Sequence, residues 1–147
     1  AQRSASLTER YINYFSVGQD AYEMLGNPML DPEENNQIDL TFSYESSKTN
    51  LDLNLFSSFM HNFISSEIVD SIPTKLPTSP GVRVYKNIDR AFLAGFEFSW
   101  AQKLAFGMQH QLAFAFTYGQ NTSNAEPLPE IAPLDFRYSL MGSYIKD

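Results

Sequence analysis

The residues of this chain best suited to chemistry are its two histidines, His61 and His110, and the methionines near them. Met60-His61, Met108 with His110, and Met141 offer thioether and imidazole donors, which suit a soft metal such as copper. If Ser46–Thr49 and Ala105–Gly107 are turns at one end of a sheet, Met108 and His110 lie near that end and Met60 and His61 near the other. At ~3.3 Å per residue that separates the two sets by tens of ångströms, so a packing or lipid-facing role is expected and no metal site is assigned. There is no cysteine nucleophile, P-loop, glycine-rich fingerprint or zinc spacing. Ser-His-Asp sets can be drawn from any serine-rich chain. The chain is therefore read as a non-enzyme without a cofactor. Glu97 stands on one strand parity with Gly95 and Ser99, where an ion pair with Arg137 is expected. Arg83, Tyr85 and Lys86 lie where a long loop returns to a strand. Together with Glu97 they are the ligand-contact candidates, because loops carry binding function more often than strands.

The elements that must position these residues are strands. From Arg90 to Tyr118 the chain alternates: Phe92, Ala94, Phe96, Phe98 and Trp100 on one side, Ala91, Leu93, Gly95, Glu97 and Ser99 on the other. After a break at Ala105–Met108, His110, Leu112, Phe114, Phe116 and Tyr118 oppose Gln109, Gln111, Ala113, Ala115 and Thr117. A period of two places successive side chains on opposite faces. Gln37–Glu45 alternates in the same way, Ser46–Thr49 is a polar turn, and Asn50–Phe63 alternates again until both faces turn apolar near Phe56–Met60. This pair predicts an antiparallel hairpin. A last strand is expected over Leu134–Lys146. Ser65–Asp89 and Gly119–Pro133 read as long Pro-rich loops, with a short strand at Val82–Tyr85 in the first. Near the start, Ser6-Leu7-Thr8-Glu9 fits a capping box, which leaves a short helix over Glu9–Phe15 or a surface loop. Gly26–Asn36 reads as an irregular lead-in, with Glu33 and Glu34 as solvated charge.

The 147 residues suffice for one domain. Net charge is -7, which argues against a nucleic-acid partner, since phosphate affinity rests on Lys and Arg. No apolar run approaches the ~18 residues of a membrane helix, which excludes only a helical span. The 12 Phe and 8 Tyr fall largely on the apolar parities. Short turns alternate with long loops, so an up-and-down sheet collects the turns at one end and the loops at the other. Strands of ten or more residues exceed the usual soluble length. Tyr44, Trp100, Tyr118, Tyr138 and Tyr144 stand near strand ends, where membrane barrels carry aromatic girdles. The expected fold is all-β: antiparallel up-and-down strands forming part of a transmembrane β-barrel. Two alternatives share the alternation: a soluble lipocalin-like barrel binding a small apolar ligand, and a β-sandwich surface module.

Several stretches are similar to one family. Gly26-Asn27-Pro28-Met29-Leu30-Asp31-Pro32-Glu33-Glu34, followed by Gln37-Ile38-Asp39-Leu40, resembles the segment by which TonB-dependent outer-membrane receptors lead from an external loop into a barrel strand. Arg3–Tyr11 resembles the segment before it, and Leu53–Ile64 the next strand. Tyr85-Lys86-Asn87-Ile88-Asp89 with Ala94-Gly95-Phe96-Glu97 resembles the re-entry strand, and Pro127–Pro133 the proline-rich loop before a later one. The family usually has two prolines where this chain has Ala132-Pro133. The resemblance runs over nearly the whole chain, in family order. It implies a bacterial outer-membrane location, lipid as a partner, TonB acting through a plug domain absent here, and import of a scarce nutrient such as an iron-siderophore, haem, a metal or a similar small-molecule or metal-chelate ligand. It also implies that residues 1–147 are an internal barrel segment of about five or six strands, without plug or terminal strands. Such a piece has open edges, so the isolated fragment can self-associate.

Overall fold

Alternation in the sequence becomes long strands in the computed structural model, which describes residues 1–15, 20–129 and 131–142. Among these residues the elements run β1 (Gln2–Arg3), α1 (Leu7–Tyr11), β2 (Asn13–Phe15), β3 (Glu23–Leu25), β4 (Glu33–Glu45), β5 (Thr49–Ile68), β6 (Val82–Lys103), a 3-10 turn (Ala105–Gly107), β7 (Met108–Asn121), β8 (Glu126–Pro127) and β9 (Asp135–Gly142). The sheet neighbours follow chain order through β4, β5, β6, β7 and β9. β1 pairs with the start of β4, and β3 adds a short parallel pairing to the start of β6. The ladder is open, with β4 and β9 nearest its two ends.

The capping box at Ser6 forms: the Glu9 N–H donates to Ser6 Oγ (3.2 Å) and the Ser6 N–H to Glu9 Oε2 (2.6 Å). The helix it starts is Leu7–Tyr11, earlier and shorter than Glu9–Phe15, because Asn13–Phe15 is drawn into a strand against β3. The loop expected over 65–89 shrinks to 69–81. β5 continues to Ile68, and the short strand expected at Val82–Tyr85 is the first part of a 22-residue β6. The end of the strand expected over Leu134–Lys146 lies outside the described residues beyond Gly142, as does Tyr144. Glu130 of the Pro127–Pro133 segment lies outside them as well.

The chain divides into two units. The first comprises Ala1–Asn36, Phe59–Ala91 and Asn121–Pro129. It holds the 69–81 connection and most of the connection after β7. Its core is Met24, Leu30, Met60, Ile64, Val82, Ile88, Ala91 and Leu128.

The second unit comprises Gln37–Ser58, Phe92–Gln120 and the described residues of 130–147. It holds both short turns, at 46–48 and 104–107, which lie side by side: the Lys103 N–H donates to the Lys48 carbonyl at 2.8 Å. Among the described residues, none of the buried apolar side chains belongs to this unit. Its apolar parity forms a face instead, with Ile38 70%, Leu40 64% and Phe136 60% exposed. Aromatic rings run across that face from strand to strand. Phe96 stacks on Phe114 (5.6 Å between centroids), Phe114 meets Phe136 edge-on (6.1 Å), and Trp100 meets His110 edge-on (4.5 Å). The β7–β9 register sets Phe114 opposite Phe136 and His110 opposite Leu140.

Candidate functional site

The four sequence-derived contact residues divide between the units. Arg83, Tyr85 and Lys86 stand at the start of β6 in the first; Glu97 lies on the same strand in the second. Arg83 is half-buried. Its Nη1 donates to Asp20 at 2.9 Å, and its guanidinium lies 4.7 Å from the Tyr22 ring centroid. Tyr85 is half-buried beside it. Lys86 is exposed and pairs with Glu67 across from β5. Lys86 and Glu67 also line a small cavity of about 110 Å³ with Ser65, Asn124 and Glu126.

Glu97 is exposed on the polar parity and makes no ion pair among the described residues. It lines a groove with Asp52, Asn54, Asp135 and Arg137. The expected pair with Arg137 does not form. Arg137 donates through Nε (3.2 Å) and Nη2 (2.5 Å) to Asp135, two residues earlier on its own strand and on the same face. A neighbouring groove of about 470 Å³ is lined by Asn50, Asp52, Ser99, Gln111, Arg137 and Ser139. These side chains give this face a polar, charged character opposite the aromatic one.

The methionine and histidine donors do not share a unit either. Met60 and His61 belong to the first, Met108, His110 and Met141 to the second. His110 is buried on the aromatic face between Trp100 and Tyr138, with Nε2 3.3 Å from Gln102 Oε1. Among the described residues no cluster of three or more His, Cys, Asp or Glu gathers for a metal ion.

Other residues of the first unit hold the segment before β4. Arg10 on α1 donates to the carbonyls of Pro28 (2.5 Å) and Leu30 (2.8 Å). The Gly26 N–H donates to the Ile12 carbonyl at 2.7 Å, and a Cβ on Gly26 would stand 2.5 Å from the Arg10 carbonyl carbon. Only glycine allows that approach. Asn87 acts as a stretch of β-ladder for the same segment. Its Oδ1 accepts from the Asp31 N–H (2.9 Å), and its Nδ2 donates to the carbonyls of Asp31 (3.1 Å) and Asn62 (2.7 Å).

Glu33 is not solvated charge. It pairs with Arg3 at 3.2 Å and accepts from the Ile64 N–H at 3.1 Å, whereas Glu34 is exposed. Arg3 also pairs with Glu9 at 3.0 Å. Burial by itself would raise the Glu9 carboxyl. The Ser6 N–H, Arg3 and the Ser6 hydroxyl outweigh it and hold Glu9 below its ordinary value. The bond to Glu9 raises Arg3 above its own.

Sequence reasoning missed Glu23, Asp20 and Tyr22. Glu23 is fully buried, and its carboxylate accepts from the N–H groups of Lys75 (2.8 Å) and Leu76 (3.1 Å). No local pattern marks a carboxylate whose partners lie some fifty residues away. The motif Tyr85-Lys86-Asn87 did mark Asn87.

The family described as TonB dependent receptor-like, beta-barrel, matches residues 1–147. Among solved structures, the copper transporter OprC is similar in fold at a TM-score of 0.76 and 19% identity. The likeness covers 95% of this chain and 20% of that one, so the chain spans about a fifth of the transporter's length. No curated protein matches the sequence.

Proposed function

Because this chain belongs to the TonB dependent receptor-like β-barrel family of the bacterial outer membrane, we propose that it supplies barrel wall and external loops to a transporter importing a scarce nutrient. The ligand is a small molecule or metal chelate, such as an iron-siderophore or haem. TonB drives uptake through a plug domain of the whole receptor. The family is one of transporters rather than enzymes.

One observation carries the wall reading. The second unit turns its aromatic parity outward, without a buried apolar core among its described residues. In water such a face would be an association surface. In a bilayer it meets hydrocarbon, and the opposite, polar face meets a wet lumen. A lipocalin-like barrel would bury that parity around a cavity, and a sandwich would bury it against a second sheet.

Arg83 and Lys86 are proposed as contacts for an anionic chelate, which would have to replace the carboxylates of Asp20 and Glu67 that they meet in this structure; a bare soft cation selects thioether and imidazole instead. Glu97, on the polar parity, is proposed to line the lumen rather than to hold ligand beside them.

Size-exclusion chromatography with light scattering, with and without mild detergent, tests the wall reading. Oligomers that detergent resolves into β-rich particles are expected; a compact monomer in plain buffer would sink it. For the transport reading, cells carrying the whole receptor should take up a labelled ferric chelate, and R83A/K86A should reduce that uptake. Equal uptake by cells lacking the receptor would remove it.

A further inference from the structure

The connection from β5 to β6 is closed at its base by the Val69 N–H donating to the Val82 carbonyl at 2.9 Å. Above that it carries Pro73, Pro77 and Pro80, and its residues are mostly exposed, Leu76 included. A segment with so little buried apolar surface has no core of its own to hold it. It is held from below by Glu23.

The two Glu23 oxygens accept from consecutive N–H groups of the connection, those of Lys75 and Leu76. The Glu23 N–H donates to the Gly81 carbonyl (3.2 Å) and to Ser79 Oγ (3.3 Å). A second tie is independent of these: Lys75 Nζ lies 3.8 Å over the Tyr14 ring. A fully buried carboxylate is costly unless its lone pairs are met, and hydrogen bonds to a charged acceptor are about twice as strong as neutral ones. Here the connection's own backbone supplies two donors. Lifting it would rehydrate Glu23 in exchange for those bonds.

Arg83 lies next to it. The Tyr22 ring that carries the Arg83 guanidinium also packs on Gly81, where an added Cβ would be 3.4 Å from the ring. We propose that residues 69–81 form a strap latched by Glu23, and that the latched state keeps Arg83 committed to Asp20 and Tyr22. An anionic chelate that replaces Asp20 at Arg83 displaces Tyr22 from Gly81 and favours the released strap, since a ligand shifts such an equilibrium by its differential affinity. The inference rests on the reading of Arg83 as a ligand contact; the latch itself does not.

The test uses the whole receptor in detergent and compares native protein, E23Q, S79A and R83Q. Hydrogen exchange is followed at the Lys75 and Leu76 amides, with trypsin cleavage after Lys75 as a second readout and the 37–58 hairpin as the internal control. Removal of the carboxylate should speed exchange at 75 and 76 by about tenfold, with S79A in between and the hairpin unchanged. Ferric citrate, as an anionic chelate probe, should speed it in native protein but not in R83Q. Equal exchange in native protein and E23Q overturns the latch. Loss of hairpin protection in E23Q also overturns it, because Glu23 would then hold the fold rather than the strap. If E23Q loosens the strap and the probe does nothing, the latch stands and the ligand role of Arg83 falls.

Discussion

The Phe56 ring lies across Gly95: a Cβ placed on Gly95 would come within 2.6 Å of the ring. The same Cβ would be 2.3 Å from the Phe116 carbonyl oxygen. A strand glycine covered by a neighbour's aromatic ring is a close backbone approach. Gly95→Ala is expected to destabilise the barrel wall by about 1–3 kcal/mol through overpacking. Urea unfolding in detergent micelles measures it. Adding Phe56→Ala should recover only part of the loss, because the Phe116 carbonyl remains. An additive double mutant would show that the two residues are not coupled.

Asn87 holds the Asp31 backbone from β6. Asn87→Ala leaves an N–H and two carbonyls without that partner, and a cost of about 1–3 kcal/mol is expected, localised to the lead-in before β4. Asn87→Asp should be worse than its volume suggests: it keeps the acceptor for Asp31 but turns a carboxylate oxygen towards the Asn62 carbonyl. Exchange protection at the Asp31 amide, compared between the two variants, checks the order.

The Glu9 carboxyl is held low in the folded chain, so the unfolded chain binds more protons in the acid range. Stability from this group is therefore complete above the ordinary carboxylate value of 4.5 and is lost as pH falls through the lowered folded value. Fraying of α1 below pH 4.5, followed by exchange at the Glu9 and Arg10 amides, should diminish in Glu9→Gln. An identical acid profile in the variant would assign the transition to another group.

Leu40 and Thr41 are consecutive on β4 and face opposite sides; Thr41 lines a groove with Glu97, and Leu40 stands exposed on the apolar parity. Leu40→Arg should cost up to ~2–4 kcal/mol of folding into lipid vesicles, whereas Thr41→Arg on the wet side should be tolerated. The reverse order would mean that the faces are inverted.

Much of the fold was legible because alternation survives wherever only one face meets protein or lipid. That holds for Gln37–Glu45, Phe92–Trp100 and Gln109–Tyr118, which all fall within observed strands. The first unit hid its strands. There Met60, Ile64 and Ser65 on β5, and Val82, Ile88 and Ala91 on β6, are buried within a few positions of one another. Asn62 also takes a positive φ of 52°, which interrupts the period. A strand segment irregular in this way does not read as alternating. Val82–Asp89 therefore passed for loop with a short strand in it.

By itself the sequence determined which side chains share a face, since parity is a property of neighbouring residues and needs no knowledge of where the chain returns. It likewise marked the turns, the capping box at Ser6, and the glycines at 26 and 95 as motif positions. Tertiary structure alone decided what each polar group meets. Glu97 was expected to find Arg137, but Asp135 is nearer to that guanidinium. Glu33 was expected to face solvent and instead receives Arg3 and the Ile64 N–H. Glu23 carried no signal and holds the strap. The physical reason is range: a strand's period is set by geometry between adjacent residues, whereas a buried carboxylate is stabilised by donors that long connections bring back from elsewhere in the chain.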